Sequence, residues 1–125
     1  MRLLLDTHVF LWVVSDHPSL KPATRRLIAS AEKVFVSSAS IWEIAIKSSL
    51  GKIDADPKLL VAAIGDSGFV ELPVTATHAA RVPDLPHHHA DPFDRLLIAQ
   101  ALSEPLRLLS ADALVLRYGD IVTPA

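Results

Sequence analysis

The 125-residue sequence contains no cysteine, so neither disulfide bonds nor thiolate metal ligands are available to it. Chains of this kind suit a reducing compartment, and we expect a cytoplasmic location. Long hydrophobic runs are also missing, because the longest, "VFLWVV" at 9–14 and "LVAAI" at 60–64, fall far short of the roughly 20 residues that cross a bilayer. We expect neither a membrane span nor a secretory signal, since Asp6 and His8 interrupt the apolar N-terminus.

The sequence has no excess of basic residues. Lysine and arginine number 12 against 14 aspartate and glutamate residues, which gives a formal net charge of −2. General nucleic-acid binders are usually basic, so this balance argues against that class. If four of the acids surround a divalent cation, however, the remainder of the chain carries a formal charge of +2. An RNA substrate therefore remains compatible with the composition.

What the sequence does contain is an alternation of short strands and helices. Apolar strands are predicted at 2–5, 34–37, 69–72, 106–110 and 121–122, and helices at 7–14, 22–32, 41–52, 57–66, 75–82, 92–102 and 111–118. Fully apolar strand centres in such an alternation indicate a mostly parallel sheet covered on both faces. We predict a single α/β domain over residues 1–125. Because half of the residues are hydrophobic, we also expect a dimer or partner surface.

Four acidic residues occupy related positions in this pattern. Asp6 directly follows the first strand, Asp112 lies two residues past the fourth, and Glu43 and Asp94 are predicted in the first turns of their helices. Ligands of parallel α/β sheets bind beyond the carboxyl ends of the strands. We therefore expect the four carboxylates to meet at one edge of the sheet.

Each acid has a simpler explanation as a helix cap. Ser40 with Glu43, and Asp91 with Asp94, both match the capping-box spacing, and we assign Asp91 as a cap. Asp6 is harder to explain in this way, because an unpaired carboxylate beside an apolar strand costs several kcal/mol. Packed carboxylates repel one another, and a divalent cation such as Mg²⁺ or Mn²⁺ removes that conflict.

Such a cation site supports phosphodiester hydrolysis. The cation polarises a phosphoryl oxygen, lowers the pKa of a bound water and stabilises the leaving oxygen, and either one or two ions can serve. Ser110 or Thr7 could bind a coordinated water or a phosphate oxygen, although hydroxyls at strand ends more often form turns. Arg95 could orient a carboxylate or contact the scissile phosphate.

Histidine and tryptophan suggest further sites less strongly. Three consecutive histidines at 87–89 are expected to point in different directions, which disfavours zinc and favours a solvated loop or one that touches RNA. Trp12 and Trp42 lie in apolar helices, where packing in the core or in a dimer is expected rather than stacking on bases.

Four segments of the sequence resemble the acidic motifs of PIN-domain ribonucleases, and most closely those of VapC-type toxins. They read "LLLDTHVFLW", "SSASIWEIAIKSSLGKI", "DPFDRLLIAQA" and "LLSADALVLRYG". The resemblance implies a three-layer α/β/α sandwich around four to five strands, and metal ligation by Asp6, Glu43, Asp94 and Asp112. Asp91 remains a second candidate beside Asp94, which the resemblance favours because it heads "DRLLIAQA".

The same resemblance implies an activity and partners. Members cleave RNA with Mg²⁺ or Mn²⁺, attack tRNA or ribosomal RNA, commonly form dimers, and are silenced by an antitoxin whose C-terminal segment covers the active-site groove. A PIN-like binding module without nuclease activity is the main alternative. A receiver-type signalling domain fits poorly, because strand 69–72 is not followed by a phosphoacceptor aspartate and no lysine follows Lys58.

Overall fold

The computed structural model describes residues 1–125 and contains one five-stranded sheet. The strands are β1 (Arg2–Leu5), β2 (Lys33–Ser37), β3 (Val70–Leu72), β4 (Arg107–Ser110) and β5 (Val122–Pro124). They lie in the order β3-β2-β1-β4-β5, and every pair is parallel. In register, Leu4 of β1 lies between Phe35 of β2 and Leu108 of β4. The predicted parallel sheet is confirmed.

Seven helices connect these strands. They are α1 (Thr7–Ser15), α2 (Pro22–Ser30), α3 (Ser38–Ser49), α4 (Pro57–Asp66), α5 (Ala76–Arg81), α6 (Pro92–Ser103) and α7 (Ala113–Leu116), with two short 3-10 turns at Val82–Asp84 and Gly119–Ile121. All seven were predicted, but α3 begins three residues earlier than expected. The Ser37 hydroxyl accepts a hydrogen bond from the Ala39 N–H, so the helix starts directly at the end of β2. None of the seven is both long and apolar enough to cross a membrane.

Alternation along the strands divides the core into two layers. Leu3 and Leu5 face one side of the sheet, where they pack with residues of α1, α3 and α4, such as Phe10. Leu4 faces the other side and packs with Leu97 and other residues of α6 and α7. Helices therefore cover both faces, which explains why the strands are apolar throughout and confirms the three-layer architecture.

Trp42 differs from the sequence prediction. The buried face of α3 consists of Ala39, Ser40, Glu43 and Ile44, which leaves Trp42 on the outer side with 61% of its surface exposed. Its ring packs edge to face on Phe93, with centroids 5.2 Å apart. Of the two expected roles, packing in the core is wrong for Trp42 and packing in a dimer stays a prediction, whereas Trp12 is half-buried against the core on its side of the sheet.

The strand order defines where a site can form. The chain moves outward from β1 to β2 and β3, and then continues on the opposite side of β1 with β4 and β5. Loops leaving β1 and β4 therefore separate at the carboxyl edge of the sheet and open a crevice there. Helix α6 leads back from this edge towards the start of β4, so its first turn lies at the same edge.

Candidate metal centre

Asp6 lies at the floor of the crevice, between β1 and α1. It is 5% exposed and caps α1, because its Oδ1 accepts a hydrogen bond of 2.8 Å from the Val9 N–H. The Ser110 hydroxyl at the end of β4 donates to Asp6 Oδ2 at 2.5 Å. Burial raises the pKa of Asp6 above its ordinary value, while the bonds from Ser110 and Val9 act in the opposite direction. The hydrogen bonds from Ser110 and Val9 therefore stabilise the ionised carboxylate, whereas its burial makes ionisation less favourable.

Glu43 reaches the same region from α3 and is also buried. Its Oε1 accepts a hydrogen bond of 2.7 Å from the Thr7 hydroxyl, and its Oε2 lies 2.5 Å from Lys47 Nζ. Thr7 therefore orients a carboxylate instead of forming a turn. The bond to Glu43 raises the pKa of Lys47, and the negative charges of Asp91 and Asp94 contribute in the same direction.

The capping box predicted at Ser40 and Glu43 is wrong. Because Ser37 is the cap of α3, Glu43 falls in the second turn rather than the first. Ser40 is buried instead, and its hydroxyl lies 2.9 Å from Thr7 Oγ1. Glu43 gains nothing from capping, so its burial at the sheet edge needs another explanation.

Asp91 and Asp94 begin α6 in different roles. Asp91 caps the helix, as predicted, by accepting a hydrogen bond of 2.9 Å from the Asp94 N–H. The Asp94 carboxylate is turned to the crevice, and burial together with the charge of Asp91 raises its pKa to about 6. Asp6 and Glu43 add smaller effects in the same direction, and such mutual repulsion requires that these acids lie near one another.

Asp112 and His89 complete the site on its outer side. Asp112 caps α7 through hydrogen bonds from the Leu114 and Val115 N–H groups, and it is exposed to solvent. His89 Nε2 lies 2.8 Å from Asp94 Oδ2. One ligand atom each from His89, Asp94 and Asp112 falls within 4.8 Å of the others, a grouping that can hold a metal ion.

The inward turn of His89 was missed from the sequence. A run of three histidines gives no indication of which ring faces the protein, and the expectation that they diverge concealed the one that enters the site. The only available signal was its position, since His89 lies five residues before Asp94 at the entry to α6.

Arg95 contacts the loop before α6 and Tyr118 rather than a carboxylate. Its buried guanidinium donates to the carbonyls of Pro86 and Val82, each at 3.0 Å, and to the Tyr118 hydroxyl at 3.1 Å. No carboxylate is among these partners, and the side chain points away from the crevice into the loop before α6. The role of orienting a carboxylate is therefore wrong, and Arg95 instead fixes that loop. Contact with the scissile phosphate stays a prediction.

The donor set suits a divalent cation. Carboxylate oxygens are the preferred ligands of Mg²⁺ and Mn²⁺, and imidazole nitrogen is accepted by Mn²⁺ and the later transition metals. Burial raises the pKa values of Asp6 and Asp94, and neighbouring carboxylates add to the effect, so a bound cation would offset the cost of keeping these buried groups ionised. The residues present therefore fit such an ion.

We expect Ser110→Ala to weaken binding of Mn²⁺ roughly 10-fold or more, because residues that support metal ligands typically contribute 10–100-fold. The substitution removes the only side-chain hydrogen bond to Asp6 and leaves that buried carboxylate with less stabilisation. Isothermal titration calorimetry measures the affinity. Ser103→Ala is the matched control, since the Ser103 hydroxyl is buried without a partner. Equal affinities of the two variants would contradict this role of Ser110.

Several solved structures share the fold over nearly the whole chain. One chain in the structure of VapBC2 from Rickettsia felis, bound to a DNA fragment from its promoter, is 16% identical with a TM-score of 0.73, over 99% of this chain and 98% of that one. A chain of a toxin–antitoxin complex from Klebsiella pneumoniae is 17% identical with a TM-score of 0.68, over 97% of this chain and 95% of that one. A chain of FitAcB from Neisseria gonorrhoeae is 18% identical with a TM-score of 0.63, over 98% of this chain and 95% of that one. At these identities the likeness establishes the fold.

Comparison of the sequence with known families identifies the family of this chain. No curated protein matches it. A family profile described as PIN domain, however, matches residues 3–120, a range that includes every acid of the crevice. Together with the five-stranded parallel sheet and its two helical layers, this match shows that the chain belongs to the PIN domain family.

Proposed function

We propose that this protein is a metal-dependent endoribonuclease and the toxin of a type II toxin–antitoxin pair that inhibits translation. The observation that carries the proposal is the gathering of Asp6, Glu43, Asp94 and Asp112 around one crevice at the carboxyl edge of the sheet. PIN domains are generally nucleases. We propose a cytoplasmic location, because the proposed RNA substrate belongs to the translation machinery.

The four acids are proposed as ligands of Mg²⁺, with Mn²⁺ as a substitute. When bound, the ion supplies an activated water and stabilises charge on the phosphodiester. The surrounding residues hold the ligands in place: Ser110 and the Val9 N–H hold Asp6, and Thr7 holds Glu43. Ligands fixed in this way need little rearrangement to receive the ion, which supports a catalytic site rather than an incidental acidic surface.

The position and charge of Lys47 favour the proposal of a substrate that carries phosphate groups. Its ammonium group contacts Glu43 and is also close enough to Asp91 and Asp94 for their charges to raise its pKa. The side chain is partly exposed, so the positive charge faces the same crevice as the acids. A cation at this position offsets the repulsion between the acidic site and the RNA backbone.

The proposed partners are an RNA of the tRNA or ribosomal RNA class, a cognate antitoxin and a second copy of the chain. Structural relatives include VapBC2 and a toxin–antitoxin complex, which supports the antitoxin. Exposed apolar side chains supply surface for such protein contacts, and they include Trp42, Leu50, Leu59 and Val61.

The decisive experiment is cleavage of total bacterial RNA. We expect purified protein, freed of any antitoxin, to make discrete cuts in Mg²⁺ or Mn²⁺ and none in EDTA, because the proposed chemistry requires the ion. Mapping the cut ends by sequencing identifies the target. Asp94→Asn, purified in parallel, controls for contaminating nuclease. If neither metal supports cleavage by the wild-type chain, the ribonuclease proposal fails and the PIN-fold binding module takes its place.

A further inference from the structure

His89 is the one histidine of the 87–89 run that faces the acidic crevice. Its side chain is 12% exposed, and its Nε2 lies 2.8 Å from Asp94 Oδ2. The neighbouring rings behave differently, because His88 packs edge to face on Tyr118 and His87 is exposed. The inward orientation therefore belongs to His89 alone and is not a general property of the loop.

The loop holds His89 in place by contacts remote from the crevice. Arg95 donates to the Pro86 carbonyl and more weakly, at 3.5 Å, to the carbonyl of His89 itself. The Tyr118 hydroxyl donates to the same Pro86 carbonyl at 2.8 Å. These bonds fix the backbone on which the imidazole is carried, as preorganised metal ligands require.

The position of Nε2 fits ligation better than simple support of Asp94. Ligands that share one ion at about 2.1 Å lie at most about 4.2 Å apart. Nε2 lies 2.8 Å from Asp94 Oδ2. A ring nitrogen of His89 and one carboxylate oxygen each of Asp94 and Asp112 lie within 4.8 Å of one another, so only small side-chain adjustments are needed. A histidine that merely oriented Asp94 would have no reason to approach Asp112 as well.

We propose that His89 Nε2 is itself a ligand of the metal ion, so that this centre combines an imidazole nitrogen with the carboxylates of Asp94 and Asp112. The inference rests on the proposed metal-dependent function. It also predicts a preference, because a nitrogen ligand favours Mn²⁺ and later transition metals over Mg²⁺, which takes oxygen ligands.

Ligation requires a change of tautomer with no net gain or loss of protons by the ring. The Ala90 N–H donates to His89 Nδ1 at 3.1 Å, so Nε2 carries the proton in the metal-free molecule and donates it to Asp94. With an ion bound, the proton would reside on Nδ1 after exchange with solvent, which would leave the lone pair of Nε2 free for the ion. The contact given up, at Ala90, lies on the surface, where water replaces it.

The test uses the intact chain loaded with one equivalent of Mn²⁺. Electron spin-echo envelope modulation detects nitrogen bound directly to Mn²⁺, and ¹⁵N-histidine labelling of the wild-type protein assigns the signal without any substitution. We expect a histidine nitrogen coupling in the wild type and in His87→Asn, and its loss in His89→Asn. Calorimetry should show the ratio of Mn²⁺ to Mg²⁺ affinity falling about 10-fold in His89→Asn alone.

Two results would overturn the inference, and they are distinguishable. Binding of Mn²⁺ by the wild type without a histidine coupling would show that the ion is held by oxygen alone, and the proposed nuclease would stand without His89 as a ligand. Failure of the wild-type chain to bind either Mn²⁺ or Mg²⁺ would remove the metal site itself, and with it the proposed function.

Discussion

Asp94→Asn should reduce RNA cleavage at least about 100-fold in either metal. Even residues that only support a metal ligand contribute 10–100-fold, and this substitution removes a proposed ligand outright. The amide keeps the shape of the side chain and can still accept a hydrogen bond from His89. Initial rates on a fluorescent oligonucleotide that carries the mapped cleavage site measure the loss.

The same substitution should stabilise the metal-free protein above pH 6. Burial and the charge of Asp91 raise the pKa of Asp94 to about 6, whereas its ordinary value is 3.8. Ionisation therefore opposes folding: the cost is absent below pH 3.8, grows as the pH rises to about 6, and is constant beyond it. After allowance for solvent screening of a partly exposed group, we expect the variant to gain about 1–2 kcal/mol.

Urea unfolding in EDTA at pH 4 and pH 8 measures this difference. The gain of Asp94→Asn over the wild type should be small at pH 4 and appear in full at pH 8. Asp66→Asn, an exposed acid at the end of α4, is the control and should show no such dependence. Helix capping does not confuse the outcome, because the side chain that caps α6 is that of Asp91. A variant that is less stable at pH 8 and still cleaves RNA would show that Asp94 has a structural role only.

The parts of the site that the sequence predicted are those set by local chain geometry. Asp6 and Asp112 follow strands and cap the next helices, and Asp91 caps α6, so a few neighbouring residues determine where these side chains lie. The parallel sheet was predictable for a related reason, since strands buried on both faces are apolar at every position. Whether the acids ligate a metal remains a prediction.

The parts that were missed depend on contacts between distant segments. Arg95 turns away from the crevice because Tyr118, which lies 23 residues further along the chain, and the Pro86 carbonyl receive its guanidinium. His89 turns inward because that same loop is tied down. The apolar surroundings of Trp42 in the sequence allowed a place in the core as well as in a dimer contact, although the buried face of α3 is formed by smaller residues and Glu43. Local patterns contain no information on such choices.

Arg95→Met should destabilise the protein by about 2–4 kcal/mol. The guanidinium makes three hydrogen bonds near 3 Å, which connect α6 to the preceding loop and to Tyr118. Hydrogen bonds from charged donors contribute about 1.5–3 kcal/mol each. Part of this loss is offset, because the substitution also removes the cost of burying a charge. The Val82 carbonyl loses the guanidinium as a partner. Urea unfolding in EDTA at pH 7 measures the loss, free of any contribution from bound metal.

Two further variants separate the hydrogen-bonding geometry from the charge. Arg95→Lys keeps the charge but not the planar fork that reaches several acceptors at once, so it should remain clearly less stable than the wild type. Arg117→Met removes an exposed arginine and should change stability little. If Arg95→Met unfolds like the wild type but raises KM for RNA, the side chain contacts phosphate in the complex, as the sequence alone allowed. If stability falls as expected, the same variant should also bind Mn²⁺ more weakly, because the loop that carries His89 is no longer held.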